Sequence, residues 1–210
     1  MIGLGYSPLI ACFIFILITT LLTIPLIHGF NKKSLSAIIA ILTGYIISIF
    51  IAYIFRNISQ LGNTPGEEFR LLGIMYPNIG LSEILIASLF IGAVGALIDT
   101  AISISSAIFE AVEETAQTFK KVYKIGMEVG KDILGSMINT LLFAYIAAAL
   151  PFLVLLSISQ GSTLSEFLNM DFIALELTRT FIGAISLVIL IPIVASISAY
   201  LLTKFKHHKI

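Results

Sequence analysis

The run Gly92-Ala-Val-Gly-Ala-Leu-Ile-Asp-Thr-Ala-Ile-Ser-Ile-Ser-Ser106 decides how the chain is read. It lies inside an apolar segment, residues 83–109, long enough to cross a hydrocarbon layer of ~30 Å, and it carries one acid, Asp99. Holding an ionised carboxylate at the centre of a membrane helix costs roughly 2.5–3.5 kcal/mol. A chain that keeps such a residue has given it a partner or a task. Asp99, Ser103, Ser106 and Glu110 follow at offsets of 4, 7 and 11, which puts them on one helical face. Gly92, Gly95 and Ala96 continue that side and leave room for a second backbone to approach. Packing alone accounts for the glycines and serines, but not for Asp99, because Asn or Ser would join helices at lower cost.

Composition sets the class. Of 210 residues, 58% are hydrophobic and 11% charged, with a mean hydropathy of +1.06. A soluble domain has about 45–50% apolar and about 25% charged residues. The excess sits in long uninterrupted runs, so the expectation is an all-α integral membrane protein. Twelve basic and twelve acidic residues cancel, which gives no reason to expect nucleic acid as a partner. The single cysteine, Cys12, offers no disulfide or metal framework. The first seven residues carry no positive charge and no small-residue cleavage site follows, so the first apolar run reads as a retained span.

Five spans are expected, at residues 8–27, 35–55, 83–109, 134–159 and 172–203 of a single membrane domain. The longest loop, 57–82, contains the turn dipeptides Gly62-Asn63, Pro65-Gly66 and Pro77-Asn78. Its apolar piece, 71–76, is too short to span and is expected at the interface. Loops on one side hold all nine lysines, while the other side holds the three arginines, Arg56, Arg70 and Arg179. That bias predicts a multi-pass protein of the cell membrane with its N-terminus outside and its C-terminus in the cytoplasm. Residues 115–131 read as a cytoplasmic amphipathic helix, with Phe119, Val122, Tyr123, Val129 and Ile133 on one face and Lys120, Lys121, Lys124 and Lys131 opposite. The expected role is a connector resting on lipid headgroups.

Span 4 brings Gly135, Ser136, Asn139 and Thr140 to a depth similar to that of Asp99, near the inner third of the membrane. An Asn carboxamide can donate to a carboxylate, so Asp99 and Asn139 form the first candidate pair, with Ser103 and Thr140 as further partners. Asp132 reads as an acid at the positive end of span 4. Glu176 and Arg179, three apart at the outer boundary of span 5, read as an ion pair. Pro192 falls mid-span and predicts a kink. No nucleotide loop, nucleophile elbow, HExxH pair or CxxC occurs in the chain. No catalytic, cofactor-binding or metal-binding residues are therefore nominated, and an enzyme is not expected.

Three segments then carry a resemblance: residues 92–106; 126–132 with Gly135 to Thr140; and Ile173 to Arg179 through Gly183 to Pro192. Together with His28-Gly-Phe-Asn-Lys-Lys33 they resemble the YibE/F-like bacterial membrane proteins over nearly the whole chain. The resemblance implies a multi-pass membrane protein associated with transport. It also implies a short form, lacking the N-terminal extracytoplasmic segment of longer members and accompanying one of them. Lys131 stands where Arg is expected, Glu128 where Asn is usual, and the turn after Glu110 lacks an Asn-Pro. The leading functional expectation is a transporter or permease subunit for a small solute or ion, with Asp99 in its pathway. The rival is a non-catalytic membrane partner that stabilises a longer relative, with Asp99 as interhelical hydrogen-bond glue; the partners expected are the lipid bilayer and either a longer YibE/F-like protein or further copies in a homo-oligomer.

Overall fold

Apolar runs without internal breakers become helices, because a helix satisfies every backbone group within its own segment. The computed structural model describes residues 7–59, 71, 73–76, 80–112, 118–158 and 171–206, and every regular element among them is helical. Five long helices follow in order: α1 (Pro8–His28), α2 (Lys32–Ser59), α3 (Leu81–Ala111), α4 (Phe119–Ile158) and α5 (Asp171–Lys206). Four stretches are long and apolar enough to cross a membrane: Pro8–His28, Lys32–Ile54, Ile86–Ala111 and Thr180–Lys204. The expected span at 134–159 is not among these four, and the side chains of several residues in its second half lie outside the description.

The corner between α1 and α2 is closed by its own polar groups. Pro8 starts α1 where a missing N–H costs nothing. Gly29 ends it at φ +75°, a conformation L side chains avoid. The Asn31 carboxamide donates to the His28 carbonyl at 2.7 Å and accepts from the Ser34 N–H at 2.9 Å. The Ser34 hydroxyl donates to the Gly29 carbonyl at 2.8 Å.

The helices run alternately up and down. At one end the Ser7 hydroxyl donates to Glu83, joining the starts of α1 and α3. At the other, Lys33 pairs with Glu110 at 3.8 Å, the Ser105 hydroxyl donates to the Lys33 carbonyl, and Ser36 meets Ser198 at 2.7 Å. This second end gathers the start of α2 with the ends of α3 and α5, and with them Lys32, Lys33 and Lys204.

Helix α5 is the hub: it packs against α2, α3 and α4, while α1 packs against α2 and α3. One core, nearer the lysine-rich end, joins Ile24, Ile41, Leu97, Ile104, Val122 and Leu190. The other, at the opposite end, joins Cys12, Ile16, Tyr45 and Phe90, with the Tyr45 and Phe90 rings edge to face at 4.9 Å. The core face of α3 is therefore Ala93, Leu97, Ala101 and Ile104, opposite the face that holds Asp99.

The expected amphipathic helix at 115–131 is not a separate element. From Phe119 its residues are the first third of a continuous 40-residue α4, which is ~60 Å long at ~1.5 Å per residue. Its apolar face does not rest on headgroups but packs within the chain. Val122, Gly126 and Gly130 are buried, and a Cβ on Gly126 would meet Ile108 and Ala195. Lys120, Lys121, Lys124 and Lys131 are exposed as expected, whereas Phe119 is exposed against expectation. Because α4 begins thirteen residues before it, Asp132 is not an N-terminal acid. In the long loop, Leu71, Ile74, Met75 and Tyr76 are exposed. Helix α5 continues unbroken through Pro192, whose carbonyl accepts from the Ser196 hydroxyl at 2.7 Å.

Candidate functional site

The candidate site is built on α3 and α4, which cross antiparallel. Gly92 lies against the Tyr145 ring and Gly126 against Ile108. The Gly92 end of α3 thus meets the later part of α4 and its Ile108 end the earlier part. Asp99 is thirteen residues from Ile86 and twelve from Ala111 in the stretch of α3 that is long and apolar enough to cross a membrane.

The two side chains do not meet. Asp99 and Asn139 are both exposed on the outer surface of the chain, and no hydrogen bond or ion pair joins either to another described residue. The helix directions explain this. Helix α4 turns Leu141, Tyr145 and Gly130 toward its neighbours, which rotates Asn139 away. Helix α3 turns Leu97, Ala101 and Ile104 inward, which rotates Asp99 out. Ser103, Ser136 and Thr140 are exposed as well, and the Thr140 hydroxyl is used locally on the Ser136 carbonyl at 2.9 Å. These residues are exposed on α3 and α4 and are not buried as a polar core.

The small residues divide in the same way. Gly92 serves packing within the chain, its Cβ position lying 3.0 Å from Tyr145. Ala96 is half-buried. A Cβ on Gly95 or on Gly135 would find no atom within 4 Å among the described residues. The face closes toward the lysine-rich end, where Ser106 lines a narrow recess with His28, Lys33 and Ser34, and Glu110 takes up Lys33. The side chains of Glu176 and Arg179 lie outside the described residues, so their expected ion pair does too. Among the described residues no three His, Cys, Asp or Glu side chains gather where a metal could bind.

Several close contacts were not anticipated. Gly126 and Gly130 form a small-x-x-x-small pair against Ala195 and Ile191, a spacing the sequence displays openly. Ser36 and Ser198 meet across 162 positions, with no local signal to join them. Among the described residues, the hydroxyls of Thr20 and Thr100 are fully buried without a hydrogen-bond partner.

The outer surface elsewhere is lined by large apolar side chains such as Leu22, Leu26, Phe50, Phe143 and Phe181. Such a surface around apolar helices of spanning length defines an all-helical membrane protein. The chain belongs to the YibE/F-like protein family, whose family pattern matches residues 1–204. Neither a curated protein nor a solved structure matches it.

Proposed function

We propose that this chain is a five-span subunit of a membrane assembly, completed on its Asp99 face by another membrane chain. One observation carries the reading: Asp99 is exposed at the middle of a helix long and apolar enough to span, and has no partner among the described residues of its own chain. Left against lipid it would cost roughly 2.5–3.5 kcal/mol. A covering helix would remove that cost, and the open surface at Gly95 and Gly135 gives such a helix room for close backbone approach. With every lysine on one side by loop order, the cytoplasm lies at the lysine-rich end, the N-terminus is outside, and the membrane is the cell membrane.

A second reading is transport of a small solute or ion, with Asp99 as the charged element of the pathway. It draws support from the polar groups of Ser103, Ser136, Asn139 and Thr140, which are exposed like Asp99. A pathway there would run between chains. One pair of variants tests both readings. Asp99→Leu is expected to lose the assembly on native gels of membrane extracts, while Asp99→Asn, which keeps a hydrogen-bonding group, retains it. Normal assembly of Asp99→Leu would overturn the first reading. Assembly of Asp99→Asn with loss of solute flux would establish the second, and unchanged flux would exclude it.

A further inference from the structure

We infer that the corner between α1 and α2 binds an anionic phospholipid, with one acyl chain in the groove between the two helices and the headgroup phosphate on Lys32. This site does not depend on what covers Asp99. The groove has a volume of about 540 Å³, within the ~300–1,000 Å³ usual for ligand sites. Its walls are Leu21 and Pro25 of α1 and Leu35 and Ile38 of α2, and it ends on the turn, at Asn31, Lys32 and Ser34. A groove that is apolar along its length and cationic at one end complements a molecule with an apolar tail and an anionic head.

The turn itself suits the boundary between headgroups and acyl chains. Phe30 is 94% exposed, and Leu26 and Ile27 just before it are exposed as well, an apolar surface that water disfavours. The polar atoms of the turn are meanwhile spent on one another: Asn31 on the His28 carbonyl and the Ser34 N–H, and the Ser34 hydroxyl on the Gly29 carbonyl. Irregular backbone beside acyl chains has to be satisfied internally in this way. Asn31 and Ser34 are thus engaged in holding the corner, and the charge in the groove wall is that of Lys32, which is exposed. A lysine keeps its methylenes on an apolar wall while its ammonium reaches the headgroups, and a basic pocket between spanning helices takes an anionic headgroup there. Lys33 is directed elsewhere, to Glu110 at 3.8 Å, which leaves the phosphate contact to Lys32. A partner helix could cover the apolar walls, but it would need an acid placed at the Lys32 end. A phospholipid carries the tail and the phosphate in one molecule, and it surrounds this surface wherever the two helices cross a bilayer.

The test uses the full chain purified in a neutral detergent, with dioleoyl phosphatidylglycerol or dioleoyl phosphatidylcholine added. Native mass spectrometry reads the dissociation constant of the first lipid bound. The wild-type chain should bind phosphatidylglycerol about fivefold more tightly, the worth of one lysine beside an anionic lipid. Lys32→Gln should abolish that preference, and Lys32→Arg should keep it. Leu35→Trp, which adds an indole to the groove from an exposed wall position, should weaken the binding of both lipids. Lys124→Gln, at an exposed lysine outside the groove, should bind as wild type. Circular dichroism and the unfolding midpoint without lipid separate loss of binding from loss of folding. Equal binding of the two lipids by the wild-type chain would mean ordinary acyl contact and would overturn the site. So would a preference that survives in folded Lys32→Gln, one lost equally in Lys124→Gln, or unchanged lipid binding by folded Leu35→Trp. None of these outcomes bears on the Asp99 assembly, which its own variants test.

Discussion

Replacing Gly126 by Ala tests the packing that fixes the orientation of α4. The added methyl would lie 2.6 Å from Cδ1 of Ile108, 2.8 Å from Cβ of Ala195 and 3.1 Å from its Cα. The Ile108 methyl can swing aside by a rotamer change. Ala195 cannot, because its Cα belongs to the backbone of α5, so the two helices must separate. Overpacking of this kind costs ~1–3 kcal/mol, and the better helix propensity of Ala returns ~0.5–1 kcal/mol. The net expectation is a loss of about 1–2 kcal/mol, which for a chain of this size lowers Tm by about 2–8 °C. Thermal unfolding of the purified protein in detergent, followed by circular dichroism, reads this directly. The matched control is Gly135→Ala, whose methyl meets nothing within the chain and should leave the monomer's Tm unchanged or slightly raised. A Gly126→Ala protein as stable as wild type would refute the close approach of α4 to α5, and with it the outward orientation of Asn139.

Other substitutions probe independent features. Thr100 is fully buried with an unpartnered hydroxyl, so Thr100→Val, nearly the same shape without the polar group, should stabilise the protein by about 1 kcal/mol. A fall in midpoint on detergent titration would mean that the hydroxyl is used. Gly29→Ala places a side chain at φ +75° and should cost about 1–3 kcal/mol, seen as a lower Tm. An unchanged Tm would show that the corner relaxes freely.

The helices nearest the N-terminus were legible because their apolar runs end at charged or turn-forming residues, as at His28-Gly29 and Asn31-Lys32-Lys33. The extent of α4 was not. An amphipathic face built from Val122, Tyr123 and Val129 has the same periodicity whether it rests on lipid headgroups or on helix α5. Only the glycines at 126 and 130, each against a branched or backbone atom of α5, distinguish the two. The face carrying Asp99 was legible as a face. Which way it points was not, because small and weakly polar residues suit an internal seam and an external one equally. The orientation is set by the opposite side of α3, where Ala93, Leu97, Ala101 and Ile104 are buried in the core. Pairing of Ser36 with Ser198 depends on bringing the first and last halves of the chain together, and nothing local in either helix announces it.

The turn between α1 and α2 carries a consequence for biogenesis. Asn31 and Ser34 satisfy the backbone groups of this corner from within residues 28–34, and Gly29 supplies the one unusual backbone angle. The first two helices can therefore leave the translocon as a preformed hairpin, before α3 has been synthesised. In the proposed orientation, Lys32 and Lys33 at the tip of that hairpin would then be retained on the cytoplasmic side. The orientation of every later span would be inherited from a seven-residue turn that is finished before most of the protein exists.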